Sequence, residues 1–387
     1  MDPGNWSTDI AGGSAYGYSL LFIILMASLI AIFLQALAIR LGLATQRDLA
    51  QACRDSYPRW LVVLLWIIIE AAVAATDLAE VIGSAVALKL LFGLPLIAGV
   101  CITAFDVLVI LFTQGRNFRI LEGLVAALVL LITVIFAAQI GLSKPESIEV
   151  MKGFLPSAAI FTNQNQLLIA IGIIGATVMP HNLFLHSSLV LTRNIVRDDV
   201  ESVKEAMKYF TYDSTFCLVC ALFVNAAILI VAAAAFHVNG LEEVATLEEA
   251  HALLNPILGA GSSIMFAVAL LAAGQNSTLT GTLAGQVVME GFLKWKIRPV
   301  FRRLITRLLA IVPAVIVISI GGDKSANDLL IISQVVLSVA LPFAIFPLVH
   351  ITSSPSKMGV HVNGRFVTIL ALIIAFTITA LDIFLFT

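Results

Sequence analysis

Two short stretches of this chain carry the side chains of a cation site and copy one another: Asp2-Pro3-Gly4-Asn5 and Met179-Pro180-His181-Asn182. Each has proline second and asparagine fourth, and each lies beside strongly apolar sequence. Together they offer a carboxylate, amides, a thioether and an imidazole, all groups that bind metal ions. Carboxylate and amide oxygens alone would suit magnesium or calcium, whereas the Met179 thioether prefers softer transition metals. Magnesium also dehydrates reluctantly, so a site that replaces water with sulfur discriminates against it. The plain alternative is that Met179 fills a gap in the core. Proline removes a backbone donor and clashes with the preceding turn, so a helix breaks there. Broken backbone at membrane depth is tolerated only inside protein or along a cavity. Corresponding interruptions in two halves of a membrane chain point to the midplane site of an inverted-repeat transporter.

Ionisable residues inside the apolar stretches form a second group, each costing about 2.5–3.5 kcal/mol at a helix centre. At about 100° per residue, Asp77 lies roughly 20° and Glu80 roughly 80° from Glu70, so the three acids share one helix face. Unpaired and charged, they would cost ~9 kcal/mol together. They are read as a proton or cation path or as partners of an arginine, Arg302 or Arg303, and the two readings are compatible. His181 lies in the second break, and its type, with an unperturbed pKa of about 6.5, suits proton handling. His186 and Arg193 are expected on one face leading to the cytoplasm. Asp106 and Asp382 read as local pairs or interfacial groups. Gln334, ahead of a helix-breaking Pro342, is a polar packing residue or a ligand. Gly274, Gly281 and Gly285, interspersed with hydroxyl residues, suit close helix packing against a moving bundle. Cys53, Cys101, Cys217 and Cys220 form no framework and read as packing residues. The chain contains no HExxH helix, nucleophile elbow or phosphate-cradling loop, so no enzyme is expected.

The elements that must position these residues are membrane helices. Of 387 residues, 60% are hydrophobic and 12% charged, with a mean hydropathy of +1.03. A soluble domain carries about twice that charge fraction. Runs long enough to span a bilayer fall near 18–39, 60–88, 96–113, 120–142, 166–193, 215–236, 257–292, 304–320, 329–349 and 366–386. The expectation is a single integral membrane domain over 1–387, with ten full spans and a half-span from Asn5 to Tyr16. The first half of that broken helix is expected to precede residue 1. Alternating the loops places Lys89, Lys144, Lys152 and Lys324 on one side and the other eighteen Lys and Arg, including Arg307, on the other. The second set is cytoplasmic by the positive-inside rule, in a multi-pass protein of the cell (inner) membrane.

On Asp2-Pro-Gly-Asn5, Gly175-Ala-Thr-Val-Met-Pro-His-Asn182 and Gly274-Gln-Asn-Ser-Thr-Leu-Thr-Gly281, the chain resembles the Nramp family of proton-coupled divalent metal transporters along its whole length. Bacterial members of that family are mostly manganese importers. The resemblance implies an all-α, LeuT-like fold in which helices 1 and 6 are broken. Two inverted repeats of five helices would cover about 1–142 and 164–350, and an eleventh helix 363–387. It implies metal ligation by Asp2, Asn5, Met179, the Ala176 carbonyl and, in some states, Gln334. A family carbonyl three residues before the aspartate has no counterpart here. It also implies a proton route through Asp77, Glu80, His181 and Arg303, to which the residue reading adds Glu70, His186 and Arg302. The expected activity is import of Mn²⁺ and Fe²⁺ with proton symport by alternating access. Metal ions and protons are substrates rather than cofactors, the surroundings are a lipid bilayer, no nucleic acid takes part, and a monomer is expected. The alternatives are a relative preferring Mg²⁺, a sodium-coupled organic solute symporter of the same fold, and a non-transporting receptor. Met179 argues against the first two and the acidic stripe against the third.

Overall fold

Hydrocarbon offers a backbone no water to bond, so each apolar run must close its own hydrogen bonds, which a helix does within one segment. The computed structural model describes residues 2–114, 118–193, 195, 199–242, 244, 246–295, 297, 299–322 and 324–387, with the side chains of 106–114, 118–122, 299, 300, 303 and 324 excepted. Its described residues form helices and turns and no strand. In chain order these are α1 (Pro3–Tyr16), α2 (Leu21–Thr45), α3 (Leu49–Ser56), α4 (Arg59–Phe92), α5 (Leu96–Gln114) and α6 (Phe118–Ser143). There follow α7 (Ser147–Gly153), α8 (Gln164–Val178), α9 (Pro180–Leu189), α10 (Val200–Ala235), α11 (Leu247–Leu258) and α12 (Ser262–Leu293). The chain closes with α13 (Pro299–Gly321), α14 (Lys324–Thr352), α15 (Pro355–Met358) and α16 (Arg365–Leu385).

Among the described residues, nine stretches are long and apolar enough to cross a membrane. One of them, Pro3–Thr45, joins α1 and α2 through a short 3₁₀ turn. The run expected at 96–113 coincides with α5. The fold is therefore an all-α membrane bundle, and its packing carries an internal symmetry. Helix α1 packs on α10 as α2 packs on α8 and α9, and α4 packs on α14 as α12 packs on α6. The pairs α2–α10, α4–α12 and α5–α13 meet directly. Such an exchange of partners is what a pseudo-two-fold between two five-helix halves requires. α16 stands outside this scheme and lies against α14.

Aromatic packing anchors α1. The buried Trp6 ring sits edge-on to Phe136 at 4.9 Å and to Phe266 at 5.2 Å, tying the short helix to α6 and α12. One sequence expectation needs correcting here: Pro342 does not break its helix, since α14 runs through both Pro342 and Pro347. Neighbouring helices can satisfy the carbonyls that proline leaves bare in a membrane bundle.

Glycines on α12 make room for side chains of α4 and α13. A Cβ on Gly281 would lie 2.8 Å from Glu80 Oε1, and a Cβ on Gly274 or Gly285 would overlap Ser84 Oγ or the Arg302 guanidinium. The small-residue stripe thus makes room for polar and charged side chains, not only for backbone. Gly281→Leu is expected to expel the Glu80 carboxylate and abolish a monodisperse, folded protein. Gly141→Leu, with nothing within 4 Å of the added Cβ, should leave it intact. Size-exclusion chromatography and thermal unfolding of both variants check this, and equal behaviour would refute the packing argument.

Candidate functional site

At the second break α8 ends at Val178, Met179 adopts φ 47° and ψ 102°, and Pro180 opens α9. A left-handed backbone at a non-glycine residue costs on the order of 1–3 kcal/mol and persists only where the surroundings enforce it. The Met179 N–H still reaches Gly175 O at 3.1 Å, and the Asn182 N–H reaches Met179 O at 3.0 Å. Pro180, however, has no N–H, so the Ala176 carbonyl four residues earlier has no helical donor. Ala176 is fully buried. The Met179 thioether is also buried, and its sulfur accepts from Asn182 Nδ2 at 3.2 Å.

The first motif is built in parallel. Asp2 is extended and caps α1, with Pro3 at the first helical position. Its N–H donates to Asn5 Oδ1 at 3.2 Å, and the Asn5 N–H donates to Asp2 O at 3.0 Å. Asp2 is wholly buried, and among the described residues neither carboxylate oxygen completes a hydrogen bond, although Gly4 and the Gln334 carboxamide flank it. A buried carboxylate left this way is strongly destabilising unless something cationic joins it.

Gln334 on α14 joins the two motifs. A Cβ on Gly4 would overlap its carboxamide, and a Cβ on Gly175 would overlap its main-chain oxygen. Its Nε2 donates to Ser333 Oγ at 2.8 Å, while Oε1 is buried without a partner. Asp2, Asn5 and Gln334 are therefore drawn together where α1, α8 and α14 meet, with the Ala176–Met179 break on the α8 side. Among the described residues no three His, Cys, Asp or Glu side chains converge. A cation held here would meet one carboxylate with neutral oxygen and sulfur donors around it.

The acidic stripe is neutralised by arginines from α13. Glu70 pairs with Arg302 at 2.8 Å, and Glu80 pairs with Arg307 at 3.4 Å. Ser277 Oγ donates to Glu80 Oε1 at 2.9 Å, and Arg307 donates to Thr278 Oγ1 at 3.4 Å. Asp77 lies between them in a narrow crevice with Thr282, Gln286, Arg302 and Thr306. His181 stands 3.5 Å from Thr76 Oγ1, and Asp77 is the charged group that acts on it. The break and the stripe thus meet across α9 and α4.

Two sequence assignments change. Arg307, counted among the cytoplasmic loop cations, is 1% exposed and paired inside the bundle. The signal lay in its position within the apolar run 304–320, where a cation requires an acid. The Arg303 side chain lies outside the described residues, as does that of Asp106. The His186–Arg193 face does not form, because α9 ends at Leu189 and the chain continues in a 3₁₀ turn. The charged neighbour of His186 is Asp213 on α10, not the stripe on α4. Asp382 makes a local pair, accepting from Ser338 Oγ at 2.8 Å.

A membrane helix interrupted at buried donors, in a bundle of two exchanged halves, is the architecture of a secondary transporter. The comparisons with known proteins specify the family. The model for natural resistance-associated macrophage protein-like (Nramp) sequences matches residues 1–387. The divalent metal cation transporter MntH of Listeria monocytogenes serotype 4a is 54% identical over 386 residues, covering 100% of this chain and 86% of that protein. The crystal structure of the Eremococcus coleocola manganese transporter, in complex with an aromatic bis-isothiourea substituted compound, is 41% identical. It superposes with a TM-score of 0.90, covering 99% of this chain and 82% of that one. MhsT in complex with L-phenylalanine, 13% identical with a TM-score of 0.51 over 99% of this chain and 97% of that one, shares the LeuT-like fold alone. The chain belongs to the Nramp family.

Breaking one side of a buried ion pair strands the other charge, at about 3–5 kcal/mol. Arg307→Gln is accordingly expected to lower the thermal unfolding midpoint sharply, and Glu80→Gln/Arg307→Gln to restore much of the loss. A double variant no more stable than the single would show that the pair contributes no coupling.

Proposed function

We propose that this protein imports divalent transition metal ions, Mn²⁺ and also Fe²⁺, across the cell (inner) membrane by proton symport with alternating access. The observation that carries the reading is the buried Asp2 carboxylate, without a hydrogen-bond partner among the described residues, set against the break at Ala176–Met179. Asp2, Asn5, Gln334 and the freed Ala176 carbonyl would supply hard oxygens, and Met179 a soft donor that disfavours Mg²⁺ and Ca²⁺. A single carboxylate suits cargo, which must leave as readily as it binds. The names of the MntH and Eremococcus relatives support the substrate class. An organic solute would need a substrate-shaped cavity at the breaks, where Gln334 instead packs directly on Gly4 and Gly175.

The basic ends of the helices face the cytoplasm in this reading. A divalent cation arriving beside Asp2 favours proton loss from His181 nearby. The proton passes by Thr76 to Asp77 and leaves along the arginine-paired stripe of Glu80 and Glu70, the latter nearest the basic end of α4. Arg302 and Arg307 hold that stripe close to neutral, so added protons need not create a large net charge in a low-dielectric interior.

Asp2→Ala and Asn5→Ala are expected to reduce Mn²⁺ uptake into proteoliposomes below detection while the protein stays folded. Met179→Ala should keep Mn²⁺ uptake at weaker affinity and admit Ca²⁺ and Mg²⁺ as competitors; unchanged competition would remove the sulfur from selectivity. For the proton arm, Asp77→Asn should retain Mn²⁺ binding by calorimetry but lose most of the vesicle acidification that accompanies uptake. Equal acidification in wild type and variant would put the proton route elsewhere.

A further inference from the structure

Helices α2 and α10 pack along one another, and each carries a graded stripe that ends in a groove at their basic end. On α2 the stripe runs Phe33, Ala36, Leu37, Arg40, the i, i+3, i+4, i+7 spacing of one helix face. On α10 it runs Lys204, Met207, Lys208, Thr211, Tyr212, again on one face. α2 descends into its basic end and α10 rises from its own, so the cations of both helices lie together and the apolar groups of both lie deeper. Phe33 sits about 10 Å along the axis from Arg40 at 1.5 Å per residue. The chain from α15 into α16 closes the third side with Val360, His361, Val362 and Val367, giving a cavity of about 520 Å³.

The groove is cationic, and no acidic side chain lines it among the described residues. Arg40 gives one donor to Asn363 Oδ1 at 3.0 Å. Lys204 pairs with Glu201 at 3.6 Å, and that pair is exposed and weak. Lys208 lies over the Tyr212 ring, 5.8 Å from its centre. Burial and the neighbouring Lys204 and Arg40 hold the His361 imidazole below its usual pKa, as expected where cations crowd without a counter-ion. Basic pockets between membrane helices on the positive face recognise anionic lipid headgroups. The matched gradient has the shape of a lipid, with a charged head and an apolar tail in line.

We propose that this groove is a binding site for one anionic phospholipid, its phosphate held among Arg40, Lys204 and Lys208 and an acyl chain laid along Phe33 and Leu37. The lipid would bridge α2 and α10 to the start of α16, stiffening the basic face without touching the donors around Asp2. A soluble anion would use the cations but leave the apolar floor uncovered, and a second copy of the chain would have to bring an acidic ridge to a recessed cleft.

The test is native mass spectrometry of delipidated, detergent-purified protein titrated with phosphatidylglycerol or phosphatidylcholine. Wild type is expected to retain one phosphatidylglycerol and to bind phosphatidylcholine far more weakly. Lys204→Ala/Lys208→Ala should weaken phosphatidylglycerol about thirtyfold, from ~1 kcal/mol per cation. Lys204→Arg/Lys208→Arg should restore it, and Lys144→Ala/Lys152→Ala, at the opposite end of the bundle, should leave it unchanged. Thermal unfolding confirms that each variant is folded. Equal binding of the two lipids, or of wild type and the double alanine variant, would overturn the proposal. So would full displacement of the lipid by millimolar inorganic phosphate, which would mark a soluble-anion pocket, or dimer formation in place of lipid binding.

Discussion

Pro180 has no N–H to give, and the rest of this structure is arranged around that missing donor. In water the Ala176 carbonyl would simply be hydrated. Within hydrocarbon it must stay inside protein, so the break between α8 and α9 is sealed by α14 on one side and α1 on the other. Sealing requires backbones to approach closely, which is why glycine stands at positions 4 and 175, where the Gln334 side chain and main chain press in. It also requires Met179 to hold a left-handed conformation that methionine disfavours in isolation. Strain, glycine contacts and the unpartnered Asp2 carboxylate fall in one place. Under the proposed function they have one physical account: a buried set of polar donors held ready for a cation.

The same solvent argument governs α4. Three acids on one membrane helix would be untenable alone, and α13 answers two of them with Arg302 and Arg307. Those arginines reach α4 only because Gly281 and Gly285 on α12 leave room for the Glu80 carboxylate and the Arg302 guanidinium. The glycines of α12 and the charges of α4 are therefore one design, and neither is intelligible without the other. Buried pairs of this kind contribute little net stability against apolar substitutes.

Much of this was legible in the sequence, and the exceptions are instructive. The break at Met179 was readable because proline's chemistry is local, and the proline-asparagine spacing of the first motif repeats it. The shared face of Glu70, Asp77 and Glu80 was readable because helical periodicity is local as well. Arg307 was misplaced because a cation near a helix end looks the same whether it snorkels to water or turns inward; only the opposing helix decides. The His186–Arg193 face failed because nothing in the residues after Leu189 announces a 3₁₀ turn, whereas the packing against α2 imposes one. Pro342 was over-read for the opposite reason, since a proline breaks a helix only when its neighbours cannot carry the freed carbonyl.

Coupling two ions requires that their sites be close enough to feel one another yet held on elements free to move separately. His181 belongs to α9 and lies one residue beyond Pro180, while Thr76 and Asp77 belong to α4, and Thr76 Oγ1 approaches the imidazole at 3.5 Å. A contact that long adds little to stability, so in the proposed transport cycle it can be broken and remade at little cost. The ion pairs deeper along α4 are, by contrast, enclosed and fixed by Ser277 and Thr278. In the proposed symport, a loose joint at the break and a rigid, neutralised rail beyond it would let a charge arriving at Asp2 alter the affinity of His181 for a proton without disturbing the path that removes it.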